Sequence, residues 1–392
     1  MVFSFMTTWR VLVTALVLSS EAMAQGLNSS VLDMVRANVN SSSTTSWEMG
    51  TATEAILEND LRLSINSILY FARNALRQRN QSLAIIEDTS AGDPASLGVA
   101  VILGNLTGAD TGIPNVTFAS AAWEQVQYLL TEVPRAPNGA ISHRVNECWD
   151  FVYMCPPFFA YYGVVTNNRS LVQEAYRQIL LYRDVLKRPS GLWQHIALGE
   201  EIDTGNWSTG NAWAAAGIVR VLATIQNSQF SGEMQSQRED LTSWAEEIFD
   251  AFYPYQDSST SLSRNYVDDN TSFLEASGSV LMASAVYRLA ILSKSYGHVQ
   301  NAEHLRSSNS PGGHIDVEGW LYPVLGSRSP EGESFVLLLN AAYGDWVKAG
   351  SEGAKSGAAV RSRGGREMRK LSAGYAAMSF VVGMMIASGF LF

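Results

Sequence analysis

From residue 53 to residue 347 the chain repeats one arrangement: apolar side chains three and four positions apart, interrupted by short breaks rich in glycine, proline and polar residues. Within 53–77, Ile56, Leu57, Leu61, Ile65, Ile68, Leu69, Ala72 and Leu76 keep the 3.6-residue period of an amphipathic helix. The same period predicts helices over 95–106, 119–132, 152–165, 171–186, 212–225, 237–252, 272–292 and 334–347. Breakers separate them at 92–94, 134–139, 188–191, 205–210 and 310–313. No set of alternating strands stands out, so the pattern predicts an all-α fold of hairpin-like helix pairs. Residues 212–225 and 279–292 are apolar on most sides. Such helices need neighbours on two sides, as the inner ring of a double layer provides. No long linker interrupts the pattern before Gly350, which predicts one domain over 25–349.

The two ends follow other rules. Residues 1–24 carry Arg10, an apolar run over 11–18, and Ala22 and Ala24 flanking Met23, the small-x-small pattern of a signal-peptide cleavage site. A membrane anchor is the rival reading, but the run is shorter than the roughly 20 residues that a bilayer core demands. At the other end, 371–392 is apolar without a charge, preceded by a small, polar and then basic spacer over 350–370. That arrangement fits a glycosylphosphatidylinositol attachment signal, with an uncleaved membrane helix as the alternative. Both readings place the folded part outside the cell, on a membrane or wall. Eight N-x-Ser/Thr sequons, at Asn28, Asn40, Asn80, Asn105, Asn115, Asn168, Asn206 and Asn270, fit a secreted glycoprotein. Asn206 lies in a tryptophan-rich segment where a glycan would block a cleft, so that sequon is expected to be unused.

Composition adds limits. The formal net charge is −10, and removal of the basic spacer would leave the domain more acidic still, which argues against a nucleic-acid partner. Cys148 and Cys155 are seven positions apart. On one continuous helix that separation is about 10 Å, beyond the roughly 7 Å a disulfide spans, so they are expected to be free unless the helix breaks. No second cysteine pair or paired histidines accompany them, so no metal site is expected.

Candidate chemistry gathers around 191–213. Trp193, Trp207 and Trp213 offer flat faces for pyranose rings, while His195, Ser208, Thr209 and Asn211 can hydrogen-bond to sugar hydroxyls or carboxylates. Filling a core is the competing role for such rings. Asp150 stands between Trp149 and Phe151, and Asp93 precedes Pro94. Each can serve as a helix N-cap, or as an acid whose proton is retained by apolar surroundings.

Several blocks resemble the unsaturated rhamnogalacturonyl hydrolases of glycoside hydrolase family 105 and the related unsaturated glucuronyl hydrolases. They are Pro134-Arg135 with Asn138-Gly139 and His143-Arg144; Trp149-Asp150 running to Ala160; Gly191, Trp193 and His195; Trp207, Gly210, Asn211 and Trp213; and Leu274-Glu275 running to Val280. The resemblance covers roughly 47–347 and implies an (α/α)6 barrel with a cleft at one end of its inner ring. It implies Asp150 as general acid and base and Asp93 as the second aspartate; beside them the candidate substrate-binding residues are His143, Trp149, Trp193, His195, Trp207, Thr209, Asn211 and Trp213. The implied reaction protonates the C4–C5 double bond of a 4,5-unsaturated uronic acid at the end of an oligosaccharide, adds water at C5 and needs no metal or cofactor.

Three departures bear on specificity. Trp149 adjoins Asp150, where the family places its tryptophan two residues before the acid. Thr209 stands where an arginine is frequent, which removes a planar cation suited to a carboxylate. Ile196, Ala197 and Leu198 follow His195 without the aspartate that often occurs there. Two alternatives remain open from the sequence. One is an (α/α)6 glycosidase hydrolysing a saturated wall glycan such as an α-mannan, although its usual Asp-Asp in a tryptophan-rich segment is matched here only by Asp268-Asp269, without a nearby tryptophan. The other is a surface protein that binds glycans without cleaving them.

Overall fold

A computed structural model describes residues 26–59, 61–80, 82–144, 150–308 and 313–354. The expected signal peptide, the apolar tail, most of the spacer, Cys148 and Trp149 lie outside the described residues.

The chain runs through α1 (Ser29–Ser42), α2 (Ser46–Asn59), α3 (Leu61–Arg77), α4 (Asp93–Ser96), α5 (Gly98–Leu106), α6 (Phe118–Gln127), α7 (Phe151–Met154), α8 (Pro156–Val165), α9 (Arg169–Leu186), α10 (Ser208–Gln226), α11 (Gln235–Phe252), α12 (Ala276–Ser293), α13 (Val299–Ser308) and α14 (Pro330–Lys348). A two-residue antiparallel pair, β1 (Ser263–Arg264) with β2 (Leu274–Glu275), precedes α12. The inner ring closes in the order α2, α4–α5, α7–α8, α10, α12, α14 and back to α2. Outside it α3, α6, α9, α11, α13 and α1 each pack on an inner helix. This is an (α/α)6 barrel. Because an outer helix returns the chain after each inner one, all inner helices begin at the same end, called the mouth below.

Burial follows from this layering. In α10 every residue from Ser208 to Ile225 is buried except Gly210, as its nearly unbroken run of small and apolar side chains requires. Outer α9 buries only a stripe of Leu171, Val172, Ala175, Gln178, Ile179, Tyr182 and Leu186, and leaves its charged face outside. Each fully buried large apolar side chain stabilises the fold by about 1.5–3 kcal/mol. Inner helices also approach through glycine. A Cβ on Gly217 would stand 2.3 Å from the Val152 carbonyl oxygen, and one on Gly278 would stand 2.5 Å from Ser208 Oγ. Larger residues there would force α10 away from α7 or α12.

The structure differs from the sequence pattern in four places. The expected helix over 53–77 is two helices, α2 and α3, since the apolar period continues across a hairpin turn after Asn59. α2 also starts earlier, at Ser46, because small and polar residues such as Ser46, Thr51 and Thr53 are buried there without a hydrophobic signal. α1 and α13 were not expected; α13 has few apolar residues, and α1 buries only Val31, Val35 and Val39. The expected helix over 272–292 begins at Ala276, after β2. The helix expected over 152–165 is interrupted at Cys155, which is buried and free at the join of α7 and α8.

Candidate active site

Three carboxyl groups converge at the mouth from the starts of α4, α7 and α14. Asp93 opens α4, whose cap residue, Gly92, has no side chain to offer a capping bond. Ser90 performs that task instead, its Oγ accepting the backbone N–H groups of Gly92 at 3.2 Å and Asp93 at 3.1 Å. The Asp93 carboxyl instead faces His143, with Oδ1 at 3.5 Å from Nε2, while Ser90 Oγ lies 3.3 Å from the same nitrogen. The loop carrying His143 is tied down by a 2.7 Å bond from Ala91 N–H to the His143 carbonyl. Gly92 leaves room for the ring, since a Cβ there would lie 2.6 Å from His143 Nδ1. Phe151 meets His143 edge-on at 6.3 Å and stacks on Tyr182 at 4.8 Å.

Asp150 occupies the cap position of α7, yet its side chain makes no capping bond either. Its Oδ1 lies over the first turn of α10, 3.3 Å from where a Cβ on Gly210 would stand. The residue keeps part of its surface open although it sits deep in the mouth. Burial raises its pKa well above the usual carboxyl value, and the charges of Asp93 and Glu331 raise it further. Asp93 is pushed up to about 7, by burial first and then by Asp88. His143 is lowered to about 3, by burial and by Arg144. Any proton shared by Asp93 and His143 therefore rests on the carboxyl.

Glu331, at the start of α14, is the third group and was not singled out from the sequence. Trp47 Nε1–H donates to its Oε2 at 2.8 Å. Burial pushes Glu331 up to about 7; the Trp47 bond acts in the opposite sense, and Glu48 and Glu275 add to the rise. An acid behind Pro330 at a helix start reads as ordinary terminal chemistry, and nothing in the sequence brings it toward Asp93 and Asp150.

On the α10 side the expected residues divide. Trp207 is half-buried, donates from Nε1 to Asn265 Oδ1 at 3.2 Å, and packs against His195 at 4.6 Å between ring centres. His195 Nδ1 lies 2.8 Å from Asp203 Oδ2. Trp193 and Trp213, expected to present faces to sugar, are 3% and 2% exposed and lie in the core. Trp213 packs between Tyr153 at 4.3 Å and Phe335 at 4.7 Å. Asn211 holds backbone: its Oδ1 accepts Trp193 N–H, and its Nδ2 donates to the carbonyls of Trp193 and Trp207. Thr209 is buried and donates to Glu275 Oε2 at 3.2 Å, while Glu275 caps α12 by accepting the N–H groups of Ser277 and Gly278. The structure thus brings Asp93, His143 and Asp150 together, sets Trp207 beside Asp150 at Gly210 with His195 packed on it, and gives Trp193, Asn211, Thr209 and Trp213 internal partners. Among the described residues no group of three or more His, Cys, Asp or Glu is arranged to hold a metal ion.

A helical double ring with retained protons at one mouth is the architecture of a class of carbohydrate-active enzymes, and the comparisons specify it. Residues 36–307 match Glycosyl Hydrolase Family 88, and the chain belongs to that family. A curated relative, the unsaturated rhamnogalacturonyl hydrolase YesR of Bacillus subtilis strain 168, is 27% identical over 184 residues, covering 43% of this chain and 51% of the relative. The match thus spans about half the length of that protein. A possible member of family GH105 from Salmonella enterica serovar Paratyphi A superimposes with a TM-score of 0.65 at 17% identity, covering 80% of this chain and 92% of the other. The unsaturated glucuronyl hydrolase of Bacillus sp. GL1, described as responsible for glycosaminoglycan degradation, gives 0.57 at 14% identity, covering 79% and 94%. These two share the barrel.

Proposed function

We propose that the protein hydrolyses oligosaccharides ending in a 4,5-unsaturated uronic acid, with Asp150 as general acid and then base. The observation that carries this reading is Asp150 itself. Its carboxyl is unused by helix capping, sits in the mouth over Gly210, and keeps its proton through burial and the neighbouring acids. The activities named for the rhamnogalacturonyl relative and the glucuronyl fold neighbour support the substrate class.

Asp150 gives its proton to C4 as the electron pair of the C4–C5 double bond forms the new C–H bond. The positive charge left at C5 is shared with the ring oxygen. Water adds at C5 and returns a proton to the Asp150 carboxylate. The resulting hemiketal opens to a ketone at C5, and the hemiacetal at C1 releases the next sugar as an alcohol. Burial keeps Asp150 protonated before the reaction, and ionisation of Asp93 or Glu331 would disfavour loss of that proton further. Trp207, half-buried beside Gly210, supplies a ring face for the sugar.

The test follows the ultraviolet band of the C4–C5 double bond with lyase-generated disaccharides. The wild type abolishes the band, and Asp150→Asn slows this by roughly 10²–10⁴-fold while remaining folded. Turnover by the variant within about 10-fold of wild type sinks the assignment.

We further propose, from the apolar segments at 11–18 and 371–392 and from the sequons, that the enzyme works outside the cell, anchored through its C-terminal tail. Asn28, Asn40, Asn80, Asn105, Asn115, Asn168 and Asn270 are exposed, which supports their use as glycan acceptors. Asn206 is buried and its Nδ2 donates to Asp268 Oδ2 at 2.8 Å. Protein from a eukaryotic secretory host gains mobility on glycan removal, and Asn206→Gln leaves the glycosylated mobility unchanged; an unglycosylated wild type contradicts the localisation.

A further inference from the structure

His195 is followed by Ile196, Ala197 and Leu198, with no acid beside it in the sequence. The fold delivers one from further along. Leu198 and Gly199 both take left-handed backbone angles, with φ of 67° and 73°. The chain then reverses, and Ile196 pairs antiparallel with Asp203. Asp203 Oδ2 arrives 2.8 Å from His195 Nδ1 and also accepts the Tyr266 hydroxyl at 2.6 Å. Its Oδ1 accepts Gly205 N–H at 2.8 Å, and His195 N–H bonds the Gly205 carbonyl at 2.8 Å. Gly205 has to be glycine, since a Cβ there would stand 2.5 Å from the Tyr266 ring. A leucine in the left-handed region is unfavourable, so the turn persists because these bonds jointly require it.

We propose that Asp203 is the positioning residue for His195, holding its proton on Nδ1 so that Nε2 acts as acceptor for a hydroxyl donor in the cleft. The role rests on the reaction proposed above. The imidazole packs on Trp207, and Trp207 rests on Gly210, with its ring 3.1 Å from the Cβ position there. Gly210 is the residue over which Asp150 Oδ1 lies. Asp203 therefore fixes the wall beside the acid. Partial burial opposes ionisation of Asp203, but bonds from Tyr266, His195 and Gly205 prevail and lower its pKa. His195 is lowered by burial, and Asp203 limits that fall. The imidazole is thus neutral at neutral pH, as an acceptor must be.

Asp203→Asn, His195→Gln and the double variant decide the matter, read by kcat, KM, pH profile and ¹⁵N-histidine spectra of the folded proteins. Asp203→Asn is expected to lower kcat by roughly 10- to 100-fold with KM changed less than about 3-fold. Its acid limb moves to lower pH, because His195 loses the charge that raised its pKa. In the His195→Gln background the same substitution costs less than about 3-fold more. Wild-type spectra show the Nδ1–H tautomer, and Asp203→Asn loses it. Losses that multiply in the double variant, or a thermal shift with kcat unchanged, overturn the proposal. If the wild type turns over no unsaturated uronide, the reaction reading fails, while the tautomer spectra still decide whether Asp203 holds the His195 proton.

Discussion

The inner ring buries charge at both ends, yet the far end pairs it and the mouth leaves it unmatched. Away from the mouth, Arg220 bridges Glu54 at 2.7 Å and Glu58 at 2.6 Å, and Arg288 links Glu58 at 2.7 Å to Asp345 at 2.6 Å. Arg220 also lies over the Tyr153 ring at 5.2 Å. Burial alone would lower the Arg220 pKa, but Glu54, Tyr153 and Glu58 hold it firmly charged. At the mouth Asp93, Asp150 and Glu331 make no ion pair with lysine or arginine among the described residues; Asp93 faces His143, and the Arg144 charge, which acts to lower Asp93 and Asp150, does not offset their burial. A buried carboxylate with a guanidinium is a structural tie. A buried carboxyl without one keeps a proton, and a retained proton beside an opening is what acid catalysis uses.

Two substitutions sharpen this contrast, the larger effect at the paired end. Arg220→Ala leaves Glu54 and Glu58 buried without their cation and should destabilise the fold by about 3–5 kcal/mol. A thermal midpoint unchanged within a degree would show that the network is not structural. Asp93→Asn at the mouth should act in the opposite sense. The folded Asp93 holds its proton up to about 7, against an ordinary 3.8. Between those values the native state binds more proton than the unfolded state, so stability falls as pH rises through that window. The variant removes this penalty. Chemical denaturation should find it more stable than wild type by about 1–3 kcal/mol at pH 8, with the advantage gone at pH 4. Equal differences at both pH values would mean that Asp93 is not a retained-proton group.

Sequence periodicity recovered most of the helices because inner and outer faces differ sharply in polarity. It failed where burial was achieved by other means. α2 begins among small buried polar residues, and α2 and α3 share one apolar period across their turn. At the site, motif resemblance supplied Asp93, His143 and Asp150, but their relation to Glu331 exists only once α14 closes the ring against α2. Trp213 illustrates the reverse error: its place beside polar residues suggested a cleft, whereas helical geometry turns it toward Tyr153 and Phe335. Asp203 was invisible because its position depends on a reversal through Leu198, a residue whose sequence signal does not predict positive φ.

The common starting end of the inner helices has an electrical consequence. A helix of several turns carries up to roughly half a positive elementary charge at its first turn, and at α12 that charge is met by the Glu275 carboxyl. At this mouth those partial charges point toward one opening, where Asp150 becomes an anion whenever its proton leaves. That background belongs to the peptide backbone, so no side-chain replacement removes it. Side chains at the rim can therefore change while the backbone field at the mouth stays the same.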